Sequence, residues 1–374
     1  MGAESELSRS VSGNYRGDET LAILLPQSGR FADAAQVVRD GIVAAHEADP
    51  QGTRPALRFY DSTSGPVTSL VRQAAADGAS LVIGPLQRQA VNELASSSAL
   101  PIPVLALNQA SDNRNPPSNL YQFALSPEDE ATEVANKAWA AGHRKALMLY
   151  PEGNWGNRIS RAFLMEWKVL GGVMVATQVF DPSADDLSET VAQLSDQAAG
   201  GDFLFMVATP KLARQIWPQI RQQMGTGIPV YSTSHIAGGR FDPQGDQPLV
   251  GLYFVDIPWL VEPTPGDKVS ERGLYREPRL YAMGVDAYRL GSRLDWMSRH
   301  RGVRISGKTG ILSMDSQRRI HRELTLARID SRGPVKVAAI DTARMGSFVG
   351  IERLSALEPS LAASGSIAFV ASHN

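Results

Sequence analysis

The residues best spaced for chemistry are Gly302-Val303-Arg304-Ile305-Ser306-Gly307-Lys308-Thr309, a full match to the phosphate-loop pattern G-x-x-x-x-G-K-[ST]. That loop works when a strand delivers its backbone amides to a helix N-terminus, which then cradles a phosphate. Here the order is inverted. A helical stripe precedes the motif, and Gly310-Ile311-Leu312-Ser313-Met314-Asp315 follows it as strand and turn. The apolar run Leu252–Asp256, which would have to supply the magnesium-binding strand, lies upstream. The spacing predicts a turn between helix and strand and no nucleotide. Other catalytic arrangements fail on residue type. The six histidines (46, 143, 235, 300, 321 and 373) are scattered, and none belongs to an H-E-x-x-H pair. His321-Arg322-Glu323 opens like a zinc deaminase signature, but that chemistry needs paired cysteines and the chain has none. No G-x-S-x-G elbow occurs, and no lysine has a serine three residues before it. No catalytic residue, metal ligand or cofactor is expected.

What remains is a set of small polar and aromatic residues in loops that follow apolar runs. Ser28, Gly29, Arg30 and Phe31 form one such loop, Gly84, Pro85 and Leu86 a second, and Asn108 and Gln109 a third. Asn154 and Trp155, then Thr209, then Ser232 and Ser234 form a matching set farther along. Hydroxyls, amides and free N–H groups beside an aromatic suit a small ligand held in a cleft. The same residue types serve equally as turns and helix caps. Both readings stand at this point.

These loops need elements to position them. Leu21–Leu25 is a strand-length apolar run, and Phe31, Ala34, Ala35, Val38, Ile42 and Ala45 recur at helical spacing. Strands at 57–60, 81–83 and 102–107 follow, alternating with helices over 67–75 and 87–97. Strand–helix alternation of this kind predicts right-handed crossovers on a parallel sheet. The rhythm restarts at Ser126-Pro127-Glu128-Asp129, a cap, a first-turn proline and carboxylates at the positive end of a helix. Strands at 146–150, 173–180 and 203–208 come next. Leu-Tyr-Pro-Glu-Gly-Asn-Trp-Gly (149–156) repeats the architecture of Leu-Leu-Pro-Gln-Ser-Gly-Arg-Phe (24–31): strand, proline, short glycine loop, helix. The expected fold class is α/β, with two doubly wound parallel-sheet lobes. A long helix over 278–299 has no sheet partner nearby in sequence and is expected to return to the first lobe. A hairpin is expected from 319–330 and 335–340 around Ser331-Arg332-Gly333. The lobes are expected to hold 20–122 plus 256–306 and 123–255 plus 307–354. Loose tails are expected over 1–19 and 355–374. Three hinge crossings should lie near Phe123, near Asp256 and around Gly307–Asp315.

Composition narrows the class. The chain has 374 residues, 37 basic and 39 acidic, for a net charge of -2, and no long block of one sign, so no nucleic-acid partner is expected. Seven of the basic residues are lysines, a bias of the kind a GC-rich genome produces. Without cysteine there are no disulfides, thiol nucleophiles or iron–sulfur clusters. No apolar run reaches the ~18 residues of a membrane span, and no signal peptide is present. The start Met1-Gly2-Ala3-Glu4 reads as an expression start on a trimmed chain.

Several blocks together resemble the LppC family of outer-membrane lipoproteins that activate class A penicillin-binding proteins. They are 24–31, Val-Ile-Gly-Pro-Leu (82–86), Pro-Val-Leu-Ala-Leu-Asn (103–108) and Phe-Ala-Leu-Ser-Pro-Glu-Asp-Glu-Ala (123–131). Tyr-Ala-Met-Gly-Val-Asp-Ala-Tyr-Arg-Leu (281–290) and Gly-Lys-Thr-Gly-Ile-Leu-Ser-Met-Asp (307–315) complete the set. The resemblance covers about residues 20–340. It implies the type I periplasmic-binding-protein fold, and a non-enzymatic periplasmic domain, tethered to the outer membrane, that binds a peptidoglycan synthase of that class. Members commonly carry an N-terminal helical-repeat domain and a lipid-bearing cysteine, and neither is found here. A small-solute receptor of the Leu/Ile/Val type, closing on an amino acid or cell-wall fragment, is the rival expectation; an uncharacterised hydrolase is a third.

Overall fold

The computed structural model describes residues 15–111, 115–225, 227–239, 241–242, 244–262, 277–337 and 351–353. The first sheet begins with β1 (Thr20–Leu25), β2 (Ala56–Asp61), β3 (Leu81–Ile83), β4 (Val104–Ala106) and β5 (Leu120–Phe123). Helices α1 (Ala32–Ala48), α2 (Val67–Ala76) and α3 (Arg88–Ala95) connect them. The second lobe runs α4 (Pro127–Ala140), β6 (Lys145–Pro151), α5 (Asn154–Val169), β7 (Val173–Phe180) and α6 (Ser188–Asp196). It continues through β8 (Phe203–Met206), α7 (Pro210–Met224), β9 (Val230–Ser232) and β10 (Tyr253–Asp256). After β10 come α8 (Pro258–Val261), α9 (Pro278–Gly291) and α10 (Leu294–Arg299). Six strands end the described chain: β11 (Arg304–Ser306), β12 (Ile311–Met314), β13 (Arg319–Glu323), β14 (Thr325–Asp330), β15 (Gly333–Lys336) and β16 (Ile351–Arg353).

The two lobes repeat one topology. Parallel strands lie in the order β2-β1-β3-β4-β5 in the first sheet and β7-β6-β8-β9-β10 in the second. This is the flavodoxin-like order, whose ligand crevice lies where the strand order reverses, between the first and third strands of each lobe. The strands are apolar runs because helices cover both faces: Leu21 to Leu25, Leu81 to Ile83 and Phe203 to Met206 are all buried. Ser126 caps α4 by accepting a bond from the Asp129 amide at 3.4 Å, with Pro127 at the first helical position.

Five expectations need correction. The third crossing is not at Gly307–Asp315. There β11, β12 and β13 extend the first sheet, with Ile320 paired parallel to Phe123, and the chain crosses at Leu324, between β13 and β14. The cause is burial: Ile305, Leu312 and Ile320 enter the same core as Ile23 and Phe123, whereas Ala327 and Ile329 enter the second. So the strands of 304–323 belong to the first sheet, and among the described residues of 307–354 only β14 and β15 join the second. They form the hairpin, which begins at Thr325 rather than Arg319; residues 338–340 lie outside the described chain. The helix over 278–299 is two helices, divided at Ser292 and Arg293. Residues 15–19 are not a loose tail: the Tyr15 ring is buried 4.9 Å from that of Tyr288, and its hydroxyl donates to Tyr288 O at 2.5 Å. Residues 1–14 and 354–374 lie outside the described chain.

Helix α9 crosses α1 with backbones in contact. A Cβ on Gly284 would lie 2.1 Å from Val38 O, and one on Gly41 2.2 Å from Tyr281 O. The two α-carbons face each other across the crossing, which is possible only because both residues are glycine.

Candidate functional site

The phosphate-loop-like string holds an anion, and the anion is the chain's own. Asp286 of α9 is fully buried and accepts from Lys308 N at 2.8 Å, Thr309 N at 2.7 Å and Thr309 Oγ1 at 2.7 Å. A Cβ on Gly307 would sit 2.6 Å from Asp286 Oδ2, so glycine lets the turn close on the carboxylate. The Lys308 ammonium, the group a nucleotide would need, lies 4.6 Å over the Trp259 ring. A calorimetric titration with ATP or GTP is therefore expected to show no binding. Micromolar affinity abolished by Lys308→Ala would overturn this account of the turn.

The cleft candidates all sit at the C-terminal ends of parallel strands, but most of their polar groups are already engaged. In the first lobe Ser28 Oγ bonds Thr63 Oγ1 at 3.1 Å, and Asp61 ties Gln27 N and Thr63 together. The Arg30 guanidinium covers Phe31, 4.5 Å from its centroid, and Gly29 holds a left-handed φ of 76°. The Gly84 amide donates to Leu105 O, and Pro85 O accepts from Leu107 N. Asn108 bridges Leu86 O and Gln109 N. In the second lobe Asn154 and Thr209 are exposed. Trp155 is half-buried, its ring edge-on to His235 at 5.5 Å. Ser232 is part of the sheet, its hydroxyl donating to Met206 O at 2.6 Å. The buried Ser234 gives both its amide and hydroxyl to Glu130, at 2.9 and 3.0 Å.

That last contact opens onto a polar cluster that residue spacing did not reveal. Glu130, on α4 just past the first crossing, also lies 3.5 Å from His235 Nδ1. Burial pushes its carboxyl up, but the His235 hydrogen bond and the charges of Arg322 and Arg279 outweigh it and hold the group below its ordinary range. At the second crossing Arg279 of α9 grips Asp256 of β10 through Nε at 2.8 Å and Nη2 at 2.6 Å, and reaches Ser234 O at 3.2 Å. At the third crossing Leu324 N donates to Glu133 of α4 at 3.0 Å, and Arg322 is buried beside Asp129 and Glu133. All three crossings thus converge on the N-terminal turns of α4. Each residue reads in isolation as an ordinary helix-face or strand-end charge, which is why the pattern was missed.

His321 on the same strand bonds Asp315 at 3.0 Å. That bond raises the imidazole above its ordinary value against the opposing effect of burial. In Asp315 burial works against ionisation, but the bonds from His321 and from the Arg319 and Gln317 amides prevail and lower the carboxyl. The folded His321 holds its proton more tightly than the unfolded one. The pair's contribution is therefore complete below about pH 6.5, lost as pH rises through the raised value, and lost again as acid protonates Asp315. The stability difference between the native chain and His321→Gln is expected to shrink between about pH 6 and 9, as read by urea unfolding. A constant difference over that range would refute the assignment.

Among the described residues no helix is long and apolar enough to cross a membrane. The sequence profile described as "LppC putative lipoprotein" matches residues 17–331. A penicillin-binding protein activator LpoA from Edwardsiella ictaluri is 32% identical over 354 residues, covering 84% of this chain and 51% of the relative. The chain thus spans about half the length of the curated relatives it matches. Among solved structures, the LpoA C-domain of Haemophilus influenzae, described as a regulator of PBP1A, superposes with a TM-score of 0.75 at 25% identity. That superposition covers 86% of this chain and all of the other. The leucine-binding protein LivK of Thermotoga maritima shares the fold, with a TM-score of 0.53 at 17% identity, over 87% of this chain and all of LivK.

Proposed function

Because this chain belongs to the LppC family, we propose that it is a non-enzymatic activator domain that binds a class A penicillin-binding protein and promotes peptidoglycan synthesis. The supporting observation is a relationship that runs through nearly the whole of both lobes and includes the full extent of the Haemophilus C-domain. In this reading the domain works in the periplasm, held to the outer membrane through a lipid anchor. It acts by gripping the synthase's active conformation more tightly than the inactive one, and a coupling of about 1–3 kcal/mol shifts the equilibrium between the two conformations some 5- to 150-fold.

The polar cluster weighs against the receptor alternative. A buried amino-acid ammonium needs a carboxylate, and an unpaired one costs several kcal/mol, on the order of the penalty for any lone buried ion. The buried carboxylates beside the second lobe's loops are committed: Glu130 to Ser234 and His235, and Asp256 to Arg279. The test is a synthesis assay with a purified class A penicillin-binding protein and lipid-linked precursor, beside titration of leucine, isoleucine and valine. Stimulated synthesis with no amino-acid binding is expected. Sub-micromolar binding of an amino acid, lost on Trp155→Ala, with no effect on the synthase, would overturn the activator reading.

A further inference from the structure

Between α1 and the edge strand β2 lies a cavity of about 380 Å³. Small-ligand sites run from about 300 to 1,000 Å³, so the space is large enough to hold one. Its lining comes from β1, the start of the loop after it, α1 and β2 alone. It therefore sits on the far side of β1 from the crevice between β1 and β3. Ile23, Leu25, Ala35 and Phe59 make the lining largely apolar, and Asp33 and Arg39 add one charge of each sign.

Those two charges are not spent on each other or on a neighbour. Among the described residues neither the Asp33 carboxylate nor the Arg39 guanidinium has a hydrogen bond or an ion pair. Helical ion pairs form three or four residues apart, and these stand six apart. At about 1.5 Å per residue, that separates them by about 9 Å along α1. The neighbouring Asp40 is taken by Gln36, whose Nε2 donates to it at 2.7 Å. A carboxylate in the first turn of a helix is favoured by the dipole, so Asp33 by itself asks for no ligand. Arg39 does. It is half-buried, with its guanidinium 3.9 Å over the centre of the Phe59 ring. A guanidinium seated on an aromatic face keeps its N–H edge for an acceptor, and none is present.

We propose that this cavity binds a short zwitterionic peptide, two or three residues long, with its carboxylate on Arg39 and its ammonium on Asp33. An extended chain covers about 3.3–3.6 Å per residue, so two or three residues span about 7–11 Å. The gap of about 9 Å between the charges falls inside that range. A free amino acid is too short to reach both. A ligand with two like charges is excluded, because one of them would face its own sign. The middle of the peptide lies against the apolar lining beside Phe59. The site goes beyond the activator reading and does not depend on it.

The test is calorimetry with the tripeptide Ala-Leu-Ala, beside the same peptide acetylated at its N-terminus or amidated at its C-terminus. The native chain is expected to bind the free peptide and to lose at least about 10-fold in affinity on either block, with no heat from leucine alone. Asp33→Asn is expected to weaken the free peptide to a similar degree, after which acetylation costs nothing further and amidation still does. Arg39→Gln is expected to show the converse. If Arg39→Gln does not fold, the exposed Asp33→Asn carries the test alone. Binding that both variants retain unchanged places the peptide elsewhere and overturns the site. So does an absence of heat from the native chain at about 5 mM peptide. Stimulated synthesis is read in a separate assay, so either failure leaves the activator reading standing.

Discussion

Asp286→Ala is expected to destabilise the fold by about 3 kcal/mol, since it orphans two buried donors of Thr309 and the part-buried Lys308 amide, each costing roughly 1–3 kcal/mol when left unmade. The donors are the Lys308 and Thr309 amides and the Thr309 hydroxyl, all within 2.8 Å of a carboxylate with no solvent exposure. Two backbone amides cannot turn away to water, because the turn that carries them is fixed by β11 and β12 on either side. Burial raises the Asp286 carboxyl above its ordinary range, and the three bonds and the nearby Arg289 charge only partly offset that. Desolvation therefore absorbs part of what the bonds supply. Removing the carboxylate relieves that desolvation and strands the donors at once, and the second effect is larger because the donors stay buried. Thr309→Val breaks only the hydroxyl bond and is expected to cost about 1–2 kcal/mol. Urea unfolding of the two variants checks the order. A loss under about 1 kcal/mol for Asp286→Ala would mean that water reaches the turn once the carboxylate is gone.

This clamp explains why the blocks 281–290 and 307–315 belong together. One supplies the carboxylate and the other the amides that hold it. The string Gly307-Lys308-Thr309-Gly310 looks like a phosphate loop because the physical task, closing backbone donors on an anion, is the same. Strand–helix order in the chain could reject a nucleotide. It could not point to Asp286, twenty-two residues upstream on a helix. The strands β1, β3, β6 and β8 were legible because each is buried on both faces and reads as an unbroken apolar run. Strands β11 to β13 were not assignable to a lobe: Arg304-Ile305-Ser306 buries one side chain, and nothing local says which core Ile305 fills. The hinge cluster was opaque for a related reason. Glu130, Arg279 and Arg322 come from three distant segments, and their charges acquire partners only when the three crossings are brought side by side.

Helix propensity and packing make opposite forecasts for Gly284→Ala, and packing should win. In a helix interior alanine is better than glycine by about 0.8–1.0 kcal/mol, so propensity alone forecasts a gain. The added Cβ, however, would stand 2.1 Å from Val38 O and 3.1 Å from the Gly41 α-carbon. Both are backbone atoms that no rotamer change can move. Relief requires α9 to lift off α1, and overpacking that shifts backbone costs about 1–3 kcal/mol and occasionally more. A net loss of about 2 kcal/mol is expected for Gly284→Ala, and a similar loss for Gly41→Ala, whose Cβ meets Tyr281 O at 2.2 Å. The double variant should cost less than the two singles together by more than about 0.5 kcal/mol, because one displacement of α9 relieves both clashes. The displacement would not stay local. The same helix carries Arg279, which grips Asp256 across the second crossing, and Asp286, which holds the turn before β12. Lifting its middle tilts both ends, so the variants should also weaken the hinge. Faster proteolysis near residue 257 than in the native chain, at equal urea concentration relative to each midpoint, is the readout. Strict additivity with unchanged cleavage would show that α1 and α9 yield independently and that α9 does not brace the crossings.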